Sequence, residues 1–436
     1  GTFKLDKWNE FFAGYKLSSS DDNTFHVVPA EKGDSAFFTS YEKDGRFITY
    51  YGDNHPVYAG NVVKAMASAK FGFPHIVKLF EGELSKLDPS KQEEREEAFR
   101  QLASGLTDSL KPTVVRVDRL TPTIVEVIVR APFAAERFHP GQFYRLQNYE
   151  VNSTEIAGTK LMMEGIALTG AWVNKAEGLL SMIVLEMGGS SRLCASLRSG
   201  EPVVVMGPTG APTEIPTGET VLLAGGGLGN AVLFSIGKAL RENNNKVIYF
   251  AGYKKGEDLY KQDEVEESSD QIIWSTDAGC EIQPRRPQDH HFRGNIVQAM
   301  KSYAEGKFGE VVFDFKTVDR IIAIGSDRMM AAVKAARRPD GVLGQFFRPD
   351  HVAIGSINSP MQCMMKEVCA QCLQKHVDPV TGEETKPVFS CFNQDQKLDE
   401  VDFKNLNDRL RANTVQEKLT NLWMDHLLKL HPIEMV

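Results

Sequence analysis

Four of the chain's six cysteines stand in one short window, Cys363, Cys369, Cys372 and Cys391, spaced C-x5-C-x2-C-x18-C. No other feature restricts the fold as tightly. Thiolates are soft and compact, so a tight turn can aim three of them at one point while a hairpin returns the fourth. A [2Fe-2S] cluster held by four thiolates asks for such an arrangement, and its plant-type pattern is C-x4-C-x2-C…C. Four-cysteine zinc is a second reading, although structural zinc favours two separated short-spaced pairs. Disulfides are a third, and nothing else in the sequence suggests secretion.

The 436 residues suffice for about three domains. A net charge of −8 argues against nucleic acid or an anionic membrane as the main partner. No apolar run approaches the ~20 residues of a membrane span. The start, Gly1-Thr-Phe-Lys-Leu-Asp-Lys-Trp8, lacks the apolar core of a signal peptide. With two cysteines outside the window, a reducing cytoplasm is the expected compartment. A chain beginning at Gly is expected to be a processed product or a piece of something longer.

Residues 1–84 do not read as a complete domain. Arg46 to Asp53 is a strand ending in Gly-Asp, and a helix from Gly60 to Lys70 carries Val62, Val63, Ala65, Met66 and Ala69 at helical spacing. Asp53 either caps that helix or meets a flavin's ribityl hydroxyl or phosphate. Residues 85–110 read as a helical connector opened by Asp88-Pro-Ser-Lys-Gln-Glu93, a possible capping box. From Pro112 the period becomes two, and several short strands predict an antiparallel barrel over 111–217. After Gly218 strands alternate with helices, predicting a parallel sheet over 218–345. Residues 346–400 form the expected cluster domain. Residues 401–436 read as a helical hairpin through Phe403, Leu406 and Leu410, then Leu419, Leu422, Leu427 and Leu430.

Several turns suit a nucleotide. Gly225, Gly226, Gly227, Gly229 and Asn230 follow an apolar strand and open a helix, where backbone can approach a pyrophosphate. Glycines also serve such turns for sterics alone. Gly325-Ser-Asp327-Arg-Met329 and Asp277 stand at two further strand ends, where a nicotinamide is expected. Gly188, Gly189, Ser190 and Ser191 start a helix inside the barrel segment and suit a diphosphate or a plain serine cap. Lys254 and Lys255 could meet a 2′-phosphate or only solvent, so NADH and NADPH stay undivided. His290-His291 is read as a solvent loop, His376 as a turn residue, Cys194 as core, and Cys280 as pocket or buried thiol.

In their order these pieces resemble the ferredoxin–NADP reductase superfamily. The order runs Pro140-Gly-Gln-Phe, Ile166-Ala167-Leu168-Thr169, Gly188-Gly-Ser-Ser, Gly207-Pro-Thr-Gly, Gly225-Gly-Gly-Leu-Gly, Gly325-Ser-Asp-Arg-Met and the cysteines. The cysteines point within it to the electron-transfer subunit of dihydroorotate dehydrogenase and to the small subunit of NADH-dependent reduced ferredoxin:NADP oxidoreductase. The latter shares the Leu-Thr pair, Asn358 and Val401-Asp-Phe. The resemblance covers about residues 112–412. It implies FAD in the barrel, with Ile166 to Thr169 near the isoalloxazine and Gly188 to Ser191 at the pyrophosphate. It further implies NAD(H) or NADP(H) against the flavin and a [2Fe-2S] cluster on the four cysteines. Gly165 replaces the family's Arg, Ala167 its Pro, and Gly325-Ser326 its Gly-Pro. The first cysteine spacing is one residue longer, and Cys363 stands where the nearer relative has Asp. Gly52-Asp53 with Ala65-Met-Ala-Ser68 resembles the closing flavin segment of glutamate synthase small-subunit-type flavoproteins. That implies a flavin site completed by a partner protein or an upstream segment.

The expected architecture is therefore multidomain: an antiparallel flavin β-barrel, an α/β parallel-sheet nucleotide domain, a small iron–sulfur domain and a partial flavoprotein segment in front. The expected function is electron transfer between NAD(P)H, FAD and the cluster within a larger multi-flavin assembly, with no acid–base dyad. The alternatives are an electron-transfer subunit of a dihydroorotate-dehydrogenase-type enzyme and a flavin-less interaction protein keeping the fold.

Overall fold

The computed structural model describes residues 4–5, 11–21, 25–31, 33–34, 36–43, 46–55, 57–309, 312–357, 363 and 369–436. Two compact units divide the chain, residues 1–103 and 104–436. No helix among the described residues is long and apolar enough to cross a membrane.

The first unit holds an antiparallel sheet of β1 (Tyr15–Ser19), β2 (Phe25–Pro29), β3 (Phe38–Lys43) and β4 (Arg46–Thr49), in the order β2-β1-β3-β4. The sequence predicts only the last of these strands. Helix α1 runs Val62–Leu79, beyond the expected Lys70 and through Pro74. Its cap is Asn61, whose side chain accepts from the Lys64 amide at 2.9 Å. Asp53 lies instead in a 3₁₀ turn, Gly52–Asn54, so it does not cap the helix. The helix buries Ser68 and Gly72, and a Cβ on Gly72 would stand 2.8 Å from the Phe37 ring. Its other face leaves Val62, Val63, Met66, Phe71 and Phe73 exposed.

Helix α2 (Gln92–Leu110) follows a turn, Pro89–Lys91, and buries no residue. Asp88 accepts from the Ser90 amide at 2.9 Å, a local cap in place of the expected box with Glu93. The division between the units falls within this helix.

The second unit opens with six strands: β5 (Thr113–Thr121), β6 (Ile124–Arg130), β7 (Phe143–Asn148), β8 (Ile166–Asn174), β9 (Leu179–Leu185) and β10 (Val203–Thr209). Their order is β10-β7-β8-β9-β6-β5, antiparallel throughout. The two edges meet through Val114 N–H to Glu201 O at 2.9 Å and Val203 N–H to Pro112 O at 3.0 Å. The sheet thereby closes into a barrel, with Ile166–Thr169 paired on one side only, to β7. Val125, Val127, Val129, Tyr144, Leu146, Leu180 and Met182 fill it.

A seven-stranded sheet follows: β11 (Thr220–Gly226), β12 (Lys246–Lys255), β13 (Gln271–Ala278), β14 (His290–Arg293), β15 (Arg320–Ile324), β16 (Val352–Ser356) and β17 (Asp395–Lys397). The order is β14-β13-β12-β11-β15-β16-β17, parallel except for β17. Strand order reverses at β11, whose neighbours are β12 and β15, and ligands bind outside strand C-termini at such a switch point. The expected boundary at 345/346 lies inside this sheet, because β16 and β17 belong to it. The cysteine window is an excursion between those two strands. His290 and His291 belong to an edge strand, not a loop, because they pair in parallel with Ile273–Thr276 of β13.

Candidate functional site

A cleft of about 1090 Å³ lies where the barrel meets the C-terminal ends of β11, β12, β13 and β15. Ala167, Leu168 and Thr169 of β8 form one wall, and Gly226, Gly227, Gly229, Asp277, Gly325 and Met329 form the other. Nine residues read from separate motifs are thus brought together. Pairing of β8 with β7 positions the first wall, Leu168 opposite Tyr144 and Thr169 opposite Phe143.

The glycines differ in what they do. A Cβ on Gly325 would stand 3.2 Å from the Gly226 Cα, so two strand-end turns touch only because both lack side chains. Gly227 has φ +56° and open space above it. A Cβ on Gly229 would overlap the Ile324 carbonyl, and one on Gly225 the Asn230 side chain, so these two glycines serve close packing. Asn230 opens helix α4 (Asn230–Glu242), is fully buried and does not line the cleft. It donates to Gly227 O at 3.0 Å and accepts from Tyr249 Oη at 2.9 Å, which holds the turn in shape. Asp327 likewise turns away, accepting from Asn407 Nδ2 at 2.5 Å. Ser326 caps helix α6 (Asp327–Arg337) by accepting from the Met329 amide at 3.2 Å.

Sequence reading missed a fourth turn on the cleft, Gly294 to Gln298, where Asn295 caps helix α5 (Ile296–Ala304). Once His290–Arg293 is taken for a loop, its far end is not counted as a strand end. Lys254 lines the cleft as an exposed cation, and so does Arg328, which lies within the Gly325–Met329 motif but was given no role of its own. Ile166 begins β8, while Cys280 is exposed and Cys194 is buried. Burial pushes the Cys194 thiol well above its ordinary range, and Glu186 adds to this.

Gly188 to Ser191 lie away from this cleft, at the start of helix α3 (Gly189–Leu193). Ser190 Oγ accepts from the Glu164 amide at 2.9 Å, and Ser191 Oγ from the Gly188 amide at 2.9 Å. The C-terminal helix α8 (Thr414–Leu430) lies on this turn. A Cβ on Gly188 would be 2.5 Å from Glu417 Oε2, and one on Gly189 would be 2.7 Å from Thr420 Cγ2. Asn421 Nδ2 donates to Met187 O at 2.8 Å, and Arg192 pairs with Asp425 at 2.7 Å.

In the cysteine window Cys372 and Cys391 are buried, and Cys363 and Cys369 half-buried. Ala370 adopts φ +56°, and the Gln371 amide donates to Cys369 Sγ at 3.4 Å. Pairing of Leu373–Gln374 with Val388–Phe389 brings Cys391 back beside Cys372, through Ser390 N–H to Cys372 O at 3.1 Å. Arg409 of helix α7 (Phe403–Arg411) clamps the turn by donating to Leu373 O at 2.6 Å and to Gln371 O. Among the described residues no three His, Cys, Asp or Glu side chains converge on one metal-sized point. Asn358 lies outside the described residues. His376 is buried and bonds Gln396 Oε1 at 2.7 Å, so it is a core residue and not a turn residue.

No family model matches the chain. An uncharacterized protein of Rickettsia prowazekii is 32% identical over 373 residues, 86% of this chain. The chain spans only 41% of that relative's length. The dihydroorotate dehydrogenase B (NAD(+)) electron transfer subunit homolog of Thermotoga maritima is 26% identical over 310 residues, covering 70% of this chain and 93% of its own. A solved structure of NADH-dependent reduced ferredoxin-NADP oxidoreductase, described for flavin-based electron bifurcation, shares the fold at a TM-score of 0.56. It is 24% identical and covers 72% of this chain and 97% of its own. Barrel, switch-point sheet, motif order and relatives agree: the chain resembles the ferredoxin–NADP reductase superfamily.

Proposed function

We propose that the chain is an NAD(P)H-dependent flavin oxidoreductase passing electrons between a nicotinamide nucleotide, FAD and a [2Fe-2S] cluster. The cleft supports this best, because a barrel strand edge there faces four strand-end turns of a parallel sheet. Its volume sits at the top of the range of about 300–1,000 Å³ for small-molecule sites, room for more than one ring system. When bound, a flavin links two-electron hydride chemistry to the one-electron chemistry of a cluster. The chain's own residues bind, orient and exclude water. Ala167 and Leu168 offer an apolar strand edge to a flat ring. Gly226, Gly227 and Gly325 let backbone amides approach a ligand, and Lys254 and Arg328 suit its phosphates.

The four thiols are the donor set a [2Fe-2S] cluster takes, and an amide hydrogen bond to one sulfur is a usual accompaniment. Iron and sulfide analysis of anaerobically purified protein, with a visible spectrum, tests both groups. Flavin and cluster bands with iron and acid-labile sulfide are expected. Stoichiometric zinc without sulfide overturns the cluster, and failure to take up FAD overturns the oxidoreductase reading. One observation favours the flavin-less alternative, the seating of Glu417 and Thr420 on the Gly188–Gly189 turn. The same spectrum separates the two.

The N-terminal unit is proposed to complete a second flavin site with a partner or an upstream segment. Its support is the exposed apolar face of α1, with Val63 77% and Met66 72% exposed. Asp53→Ala should lower the flavin content of the partnered assembly, and unchanged content removes this role.

A further inference from the structure

We propose that Arg145, which no motif marks, binds the phosphate-bearing part of the barrel's ligand by lying across the space that Gly165 leaves open. This rests on the flavin reading above. Arg145 is on β7 directly opposite Ala167, which lines the cleft. Gly165 comes just before β8, two residues ahead of Ala167. The guanidinium lies flat over residue 165, where a Cβ would overlap its Nε, Cζ and Nη2. Any side chain at 165 would therefore evict it. Gly165 follows Glu164, whose amide donates to Ser190 Oγ in the Gly188–Ser191 turn. Arg145 thus stands between the cleft wall and that turn, along the path of a ligand spanning both.

The guanidinium is unmatched. Its Nε is buried without a hydrogen-bond partner, and no described residue bonds or ion-pairs with the side chain. A half-buried cation lacking a counter-charge is costly, and filling that vacancy with an anion recovers the cost. The planar five-donor fork matches phosphate oxygens in pairs, which an ammonium cannot do.

FAD, FMN and riboflavin titrations of the full chain, read by flavin fluorescence and by thermal shift, test the assignment. Arg145→Met, which keeps the apolar stem, should weaken FAD by about tenfold or more, and Arg145→Lys by less. Riboflavin, which carries no phosphate, should bind both variants as it binds the parent. Gly165→Val should reproduce the FAD loss with Arg145 still present. Unchanged FAD affinity in Arg145→Met overturns the proposal and leaves the flavin reading intact. An equal loss of riboflavin overturns the phosphate assignment. A parent chain that binds no flavin overturns both.

Discussion

Glu126 sits fully buried in a strand that otherwise reads Ile-Val-Val-Ile-Val around it. Its carboxylate accepts from Trp172 Nε1 at 2.8 Å and Ser181 Oγ at 2.6 Å, and pairs with Lys261 Nζ at 2.8 Å. Lys261 follows the nucleotide sheet's β12, so the pair ties barrel to sheet. Glu126→Ala should lower stability by about 3 kcal/mol in urea unfolding, the low end for a broken buried pair, because Lys261 keeps 20% exposure. A loss below about 1 kcal/mol would show the tie to be dispensable. Asp395 has the opposite character. Burial raises its pKa, while hydrogen bonds from Thr213, at 2.6 Å, and Ser356 restrain the rise. The folded chain then holds a proton that the unfolded chain has released. Its contribution is therefore full below the ordinary aspartate range and is lost as pH rises through the folded pKa. Asp395→Asn should remove that slope from urea midpoints measured above about pH 4. An unaltered slope would assign it elsewhere.

At the scale of elements, the tail helix departs most from expectation. Its leucine spacing predicts a packed face of Leu419, Leu422, Leu427 and Leu430. The face that packs is Met424 and Leu427, while Leu419, Leu422 and Trp423 remain exposed. The reason is the anchor at Arg192–Asp425 and Asn421–Met187, which sets the helix's rotation against the barrel. The same docking places a carboxylate on the turn expected to take a diphosphate. Glu417→Gln should tighten FAD by about three- to tenfold without changing riboflavin, since one like charge is removed at close range. Unchanged FAD affinity would place the diphosphate elsewhere. Gly189→Val is a poorer test, because its side chain would displace Thr420 as well as any ligand.

For the whole molecule, the two units are unequal in core. Among the described residues of 1–103 the buried hydrophobic side chains are Ala36, Phe37 and Phe38, against three large clusters in 104–436. Calorimetry should therefore show two transitions, with the first unit melting lower, and one cooperative transition would join them. The sequence by itself determined the change from antiparallel strands after Pro112 to strand–helix alternation after Gly218. The period-two run and the strand–helix alternation are local patterns, each dictated by which face must be apolar. Six of the nine cleft residues, Gly226, Gly227, Gly229, Asp277, Gly325 and Met329, were legible for the same reason, since a strand-end turn is a local signal, whereas Ala167, Leu168 and Thr169 came from the resemblance alone. Tertiary structure alone decided the rest. Gly225 and Gly229 serve packing, Asn230 and Asp327 point away from the cleft, and Arg145 covers Gly165. Strand His290–Arg293 exists through its partner, and the two strands that flank the cysteine window in sequence, β16 and β17, pair with each other in the nucleotide sheet. Each of these depends on which residue lies opposite across a sheet or against a distant helix. One chain's sequence carries no record of that neighbour.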